Sequence, residues 1–235
     1  MNRLLQNDFG RLIRSKILPL AVAAAVVGGL AAVPLCPGYQ AVMTYAQAYL
    51  FLIPVISIVT IVFVTQEYRF GIVRNKAASG FSRVRILCSW AIVMAAVSVL
   101  LLLVFTLTVR IRLSATAPAV QENLTAETFF VNSGMALVLM LVFVGISLAV
   151  GIIGAGYEDI VIVLLLFFGA AEAGTRAAGR GGLLRRLLAV VPTTHLGDSV
   201  VEVPGTAGAT FFGGVVLIVL FSLLALVAFR RKNLE

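Results

Sequence analysis

Gln66-Glu-Tyr-Arg-Phe-Gly-Ile-Val-Arg-Asn-Lys-Ala-Ala-Ser-Gly-Phe-Ser-Arg-Val-Arg85 is a polar island between long apolar runs. From Glu67 to Ser79 only Gly71 disfavours a helix, and one glycine is tolerable; Ser79-Gly80 supplies a stop, and Ser82 can cap whatever follows. The expectation is a short helix over 67–79 lying between two longer ones. The island carries Arg69, Arg74, Lys76, Arg83 and Arg85 against Glu67 alone. A basic excess of that size at the end of a membrane span marks its cytoplasmic side.

Composition supports the membrane reading. Of 235 residues, 61% are hydrophobic and 12% charged, about half the charged share of an ordinary soluble domain. The 18 Lys+Arg outnumber the 10 Asp+Glu, but the basic residues mostly flank apolar runs. Anionic lipid headgroups are therefore the nearer partner, and nucleic acid is not expected. Cys36 and Cys88 fall on opposite sides of the bilayer in the topology below and should not pair with each other. Each reads as a small apolar residue, with a bridge between two copies through Cys36 as the alternative.

Outward from the island, a hydrocarbon core of roughly 30 Å needs about 20 helical residues. Spans are expected at 17–33, 46–65, 86–109, 129–153, 157–173 and 208–229. The first 16 residues place Leu5, Phe9, Leu12 and Ile13 on one helical face with Arg3, Asn7, Arg11 and Arg14 mostly opposite, which suits a helix in the headgroup layer. A signal peptide competes, but Val33-Pro34-Leu35-Cys36 is a poor cleavage site. With six spans both ends share a side, and both are basic: Arg3, Arg11, Arg14 and Lys16 at one, Arg230, Arg231 and Lys232 at the other. The orientation puts both in the cytoplasm. Residues 174–207, with Arg176, Arg180, Arg185 and Arg186 around apolar patches, form an extracellular or re-entrant segment. Glu158 and Asp159 open the fifth span at the inner interface. The fold class is all-α integral membrane, one domain over 1–235.

Small residues at Gly28-Gly29, Gly145, Gly151 and Gly213-Gly214 allow close helix contact, and Gly154-Ala155-Gly156 makes a tight turn. A search for catalytic groups finds little. His195 lacks a second His or a Cys to complete a metal site or dyad, and no GxxxxGK[ST] stretch occurs. Asn123-Leu124-Thr125 is a sequon in a predicted outer loop.

The run from Glu67 through Gly71, Arg74-Asn75-Lys76 and Ser82-Arg83 resembles the segment between the second and third spans of ABC-2 type permeases. The pattern there is a Glu, a Gly four residues on, a basic Arg-Asn-Lys turn, and Ser/Thr-Arg opening the third span. The six-span layout, the amphipathic start and the Arg-Arg-Lys-Asn-Leu ending extend the likeness over the chain. Ile72 stands where Thr is common and Ala77 where Leu is common, which leaves the subfamily open.

The resemblance implies that 67–79 is a cytoplasmic coupling helix between spans two and three, seated in a groove of a separate ATP-binding cassette ATPase. Its ATPase-coupling residues would be Glu67, Phe70, Gly71, Val73, Arg74, Asn75, Lys76, Ser82 and Arg83. Phe70, Val73 and Ala77 would fill the groove, while Arg69, Arg74 and Lys76 would meet acidic residues or phospholipid. Arg74 and Lys76 are expected to project from the loop, so that reversing their charges costs little stability. No cofactor is expected in this chain, ATP and Mg lying on the partner, and a second permease copy or sister permease completes the pathway. Ser57, Thr60, Ser98, Thr106, Asn132 and Ser147 offer polar groups without a mid-membrane charge, which suits export of a peptide antibiotic, a drug or a lipid-like molecule. The alternative is a non-transporting membrane scaffold or sensor subunit.

Overall fold

The structure, a computed structural model, describes residues 2–31, 49–116, 126–178 and 207–232. Its elements are α1 (Asn2–Arg14), α2 (Ile17–Ala31), a 3-10 turn (Tyr49–Phe51) running into α3 (Leu52–Arg69), α4 (Ile72–Ala78), α5 (Arg83–Thr116), α6 (Ala126–Gly154), α7 (Asp159–Ala178) and α8 (Ala207–Arg231). No strand occurs among the described residues. A helix satisfies its backbone polar groups within one segment, which apolar runs in lipid require.

Four stretches are long and apolar enough to cross a membrane: Tyr49–Arg69, Arg83–Ala115, Ser133–Gly154 and Phe211–Arg231. A fifth exists if α1 and α2, bent by 63° at Ser15-Lys16, count as one broken span. The chain is thus an all-helical protein of multi-pass membrane type. The span expected at 157–173 falls on α7, whose described apolar part, Asp159–Gly169, is shorter than the about 20 residues a crossing needs. Of the segment expected at 174–207, residues 179–206 lie outside the described residues, as do Cys36, Asn123 and His195.

Helix α3 runs through the middle, packed on α2, α5, α6 and α7. Its Ile53, Ile56, Ile61 and Val64 join Val97, Leu101 and Phe105 of α5 and Leu139, Met140 and Ile152 of α6 in one apolar core. Small residues set the spacing, as the sequence suggested. A Cβ on Gly29 would lie 3.0 Å from Thr108, one on Gly145 3.1 Å from Phe221, and one on Gly151 3.3 Å from Val64. These tie α2 to α5, α6 to α8 and α6 to α3. Ser57, Thr60 and Ser98 are buried and donate to the carbonyls four residues back, Ile53, Ile56 and Met94, at 2.8, 2.8 and 2.9 Å. Their hydroxyls are therefore spent inside their own helices. Helix α5, at 34 residues, is about 50 Å long and overshoots a roughly 30 Å hydrocarbon core.

The single helix expected over 67–79 is divided. Glu67 belongs to the last turn of α3, the chain turns at Phe70-Gly71, and α4 begins at Ile72. Gly71 has φ 64°, a left-handed conformation that glycine adopts without strain. The stop comes where expected, with Gly80 also left-handed at φ 84°. Ser82 opens α5, its carbonyl accepting from Ile86 at 3.1 Å and its Oγ from the Arg85 N–H at 3.4 Å. Gly154-Ala155-Gly156 makes the expected tight turn. Asp159 Oδ2 accepts from the Gly156 N–H at 3.2 Å, and the Gly156 carbonyl accepts from Thr65 Oγ1 at 3.3 Å.

Candidate functional site

Four helices bring polar side chains together at one end of the bundle. Leu4, Asp8 and Leu12 recur every four residues on α1 and so share one face, and all three are buried. That face meets the end of α3, the inner side of α4 and the first turns of α5. Ile13, expected on the apolar face, is instead 65% exposed, because the helix is rotated to put Leu4 and Asp8 inward. Glu67 and Ser89 are fully buried and Lys76 nearly so.

The resulting contacts form one network. Lys76 Nζ donates to Asp8 Oδ1 at 2.6 Å and to Glu67 Oε2 at 2.7 Å. Arg11 pairs with Glu67 Oε1, and Ser89 Oγ donates to Asp8 Oδ2 at 2.7 Å. Each carboxylate oxygen has a donor, and two acids face two bases. Burial of charge is tolerable only under such full compensation.

An aromatic wall stands behind the network. Trp90 lies 5.5 Å from Phe229 and 6.2 Å from Tyr68, ring centre to ring centre. Lys76 Nζ sits 5.8 Å from the Trp90 ring centre and Lys232 Nζ 4.5 Å from that of Tyr68. Two cations also close helix ends here. The Arg83 guanidinium donates to the carbonyls of Phe229, Arg230 and Lys232 at 2.9, 2.7 and 2.9 Å, completing the end of α8. Lys232 Nζ donates to the carbonyls of Ile152 and Ile153, completing the end of α6. Burial lowers the pKa of Lys232 from the usual lysine value, with the charge of Asp159 opposing the shift.

The residues singled out in the sequence thus divide into two sets. Glu67, Val73 and Lys76 face inward, and Arg83 is half-buried in its clamp. Phe70 is 71% exposed, and Arg74, Asn75 and Ser82 are exposed. Two expectations are corrected. Lys76 does not project from the loop, because Asp8 and Glu67 draw it inside. Val73, 1% exposed, belongs to this chain's own core rather than to a face shared with Phe70. For Arg83→Gln we expect amide hydrogen exchange in the last turn of α8 to rise about tenfold, since bonds to charged donors are the stronger kind. Exchange along α3 should not change. An unaltered last turn would show the clamp to be dispensable.

A pocket of about 420 Å³ opens over the network between α1 and α4, edged by Asn7, Arg11, Arg14, Asn75, Lys76 and Ser79. No group of three or more His, Cys, Asp or Glu able to hold a metal occurs among the described residues. With every carboxylate oxygen engaged, what the arrangement can do is mechanical: it fixes α1, α3, α4 and α5 to one another. Asp8, Ser89 and Trp90 were not singled out from the sequence, and Arg11 and Lys232 were read there only as basic residues that set the orientation. The one available signal was Asp8 itself, an acid midway between Leu4 and Leu12 on an otherwise apolar stripe. The chain matches no model of a known protein family, and no curated protein matches it at a significant level.

Proposed function

We propose that this chain is the membrane-spanning permease subunit of an ATP-binding cassette transporter of the ABC-2 type. In this reading it has six spans, with α7 as the fifth, and both ends and α4 face the cytoplasm. It exports an amphiphile and works beside a second permease, and a separate ATPase holds ATP and Mg. The observation that carries the reading is the mounting of α4. This seven-residue helix is flanked by the left-handed Gly71 and Gly80 and pinned from inside through Lys76 to α1 and α3; it presents Arg74 and Asn75 outward, with Phe70 exposed in the turn that precedes it. A short rigid helix held against two longer ones is what a partner needs in order to push on the bundle. The exposed Phe70 and Arg74 supply an apolar contact and a charge for that partner. The coupling surface therefore comprises Phe70, Arg74 and Asn75, while Glu67, Val73 and Lys76 support it from behind.

Co-expression with a candidate ATP-binding cassette ATPase, followed by copurification, tests this. Arg74→Glu should insert normally, since exposed charge changes move stability by less than about 0.5 kcal/mol. The recovered ATPase should fall by tenfold or more, because like-charge contact at an interface costs several kcal/mol. Equal recovery with parent and variant would remove the coupling role. Failure of any ATPase to copurify with the parent would favour the scaffold or sensor alternative. A cysteine placed at Ser79 should resist an impermeant reagent added outside intact cells, and ready labelling would overturn the topology.

A further inference from the structure

At the end of the bundle where Lys232 closes α6, a groove of about 630 Å³ runs between α6 and α8, with Leu166 of α7 on its far wall. Ile146, Val150, Phe221, Leu224 and Val227 are among the side chains that make it apolar. Its two charged lining residues, Arg231 and Lys232, are both cationic and adjacent. This size falls within the roughly 300–1,000 Å³ of small-molecule sites. The groove is also accessible: Leu166, Leu224 and Val227 are each about half exposed. Helix α8 leaves it open because it is buried along one narrow side only, where Gly145 lets Phe221 seat on α6 and Ala225 and Phe229 turn inward, so that just 17% of its apolar stretch is buried.

We propose that this groove binds one anionic phospholipid, its acyl chain along α6 and α8 and its phosphate at Arg231 and Lys232. The charge pattern selects the occupant. An apolar trough closed by two cations matches an acyl chain ending in a phosphate, and basic pockets between spanning helices on the cytoplasmic side are where anionic headgroups bind. The acids nearby do not already serve these cations within the groove. Asp159 is turned to the Gly156 N–H, and neither it nor Glu158 lines the groove. The Lys232 ammonium donates to the Ile152 and Ile153 carbonyls, which are neutral, and Asp159 acts on it through space with no ion pair among the described contacts, so a phosphate at Arg231 and Lys232 would add a counter-charge in direct contact. Arg231 is exposed beside it. The inference rests on the cytoplasmic placement of this end of the bundle, read from its basic residues, and not on any role in transport.

Native mass spectrometry of the full chain, exchanged into detergent with equal phosphatidylglycerol and phosphatidylcholine, provides the test. One phosphatidylglycerol should be retained preferentially. Arg231→Gln should lower the preference about fivefold, the loss expected from one basic contact at a membrane surface. Leu224→Trp should fill the trough and remove the bound lipid, whereas Val216→Trp, on an exposed part of α8 outside the groove, should not. Retention volume on size exclusion verifies that each variant is folded. Equal retention of the two lipids would overturn the proposal, as would displacement by inorganic phosphate, which would mark a simple anion site. So would a Leu224→Trp chain that keeps its lipid, or one that changes self-association and not lipid content, since the groove would then be an interface between copies.

Discussion

Lys76→Met should destabilise the chain by about 3–5 kcal/mol, the range found when one partner of a buried ion pair is removed. The cost arises because Asp8 and Glu67 keep their burial while losing the ammonium they share. Arg11 would then have to compensate both acids, and it reaches Glu67 only. Trp90, the one tryptophan, stands beside the Lys76 ammonium, so its fluorescence during thermal unfolding in nanodiscs reports the change directly. Combining Lys76→Met with Asp8→Asn and Glu67→Gln should recover much of the loss, because the three buried charges are then removed together and the remaining Arg11 is partly exposed. A Lys76→Met chain as stable as its parent would mean that the cluster is hydrated in the membrane-embedded protein. Arg74→Glu, two residues away on the outer side of α4, is the internal control.

Trp90→Ala should cost a comparable amount, about 3–5 kcal/mol, as large aromatic truncations in packed interiors do. The ring is fully buried between Tyr68 and Phe229, so its removal separates α3, α5 and α8 at one point. Its Nε1 finds no acceptor among the described residues. Trp90→Phe, which keeps much of the ring contact and drops that N–H, should therefore cost less than half as much. Circular dichroism melts of the three proteins check the order, and equal melts for Ala and Phe would show that the wall contributes little.

The helices were legible in the sequence because their causes are local. Four of the expected apolar runs, Ser79-Gly80, Ser82 and Gly154-Ala155-Gly156 each act within a few positions and shaped the chain near where they were expected, whereas Gly71, read as tolerable inside one helix, divided it. The site was not legible because its cause is a meeting of distant segments. Asp8 and Lys76 are 68 residues apart, and Arg83 finds its carbonyls 146 to 149 residues away. Periodicity shows which residues share a face of α1 or α4, yet not which face turns inward. On α1 the arginines suggested one orientation, and the packing of Leu4 with the burial of Asp8 selected another. On α4 the polarity of Lys76 suggested exposure, while two carboxylates waiting inside reversed it.

Helix α4 carries two kinds of positive charge that respond to ionic strength to different degrees. Arg74 is exposed, so any acidic partner it attracts is felt over a Debye length of about 8 Å under physiological conditions and about 3 Å in 1 M salt. Lys76 and its carboxylates are buried and in direct contact, and their attraction is screened much less. A concentrated salt wash should therefore strip whatever peripheral protein rests on α4 while α1 remains fastened to it. The stripped chain would keep the surface proposed for the partner in shape, ready to be re-occupied on dilution.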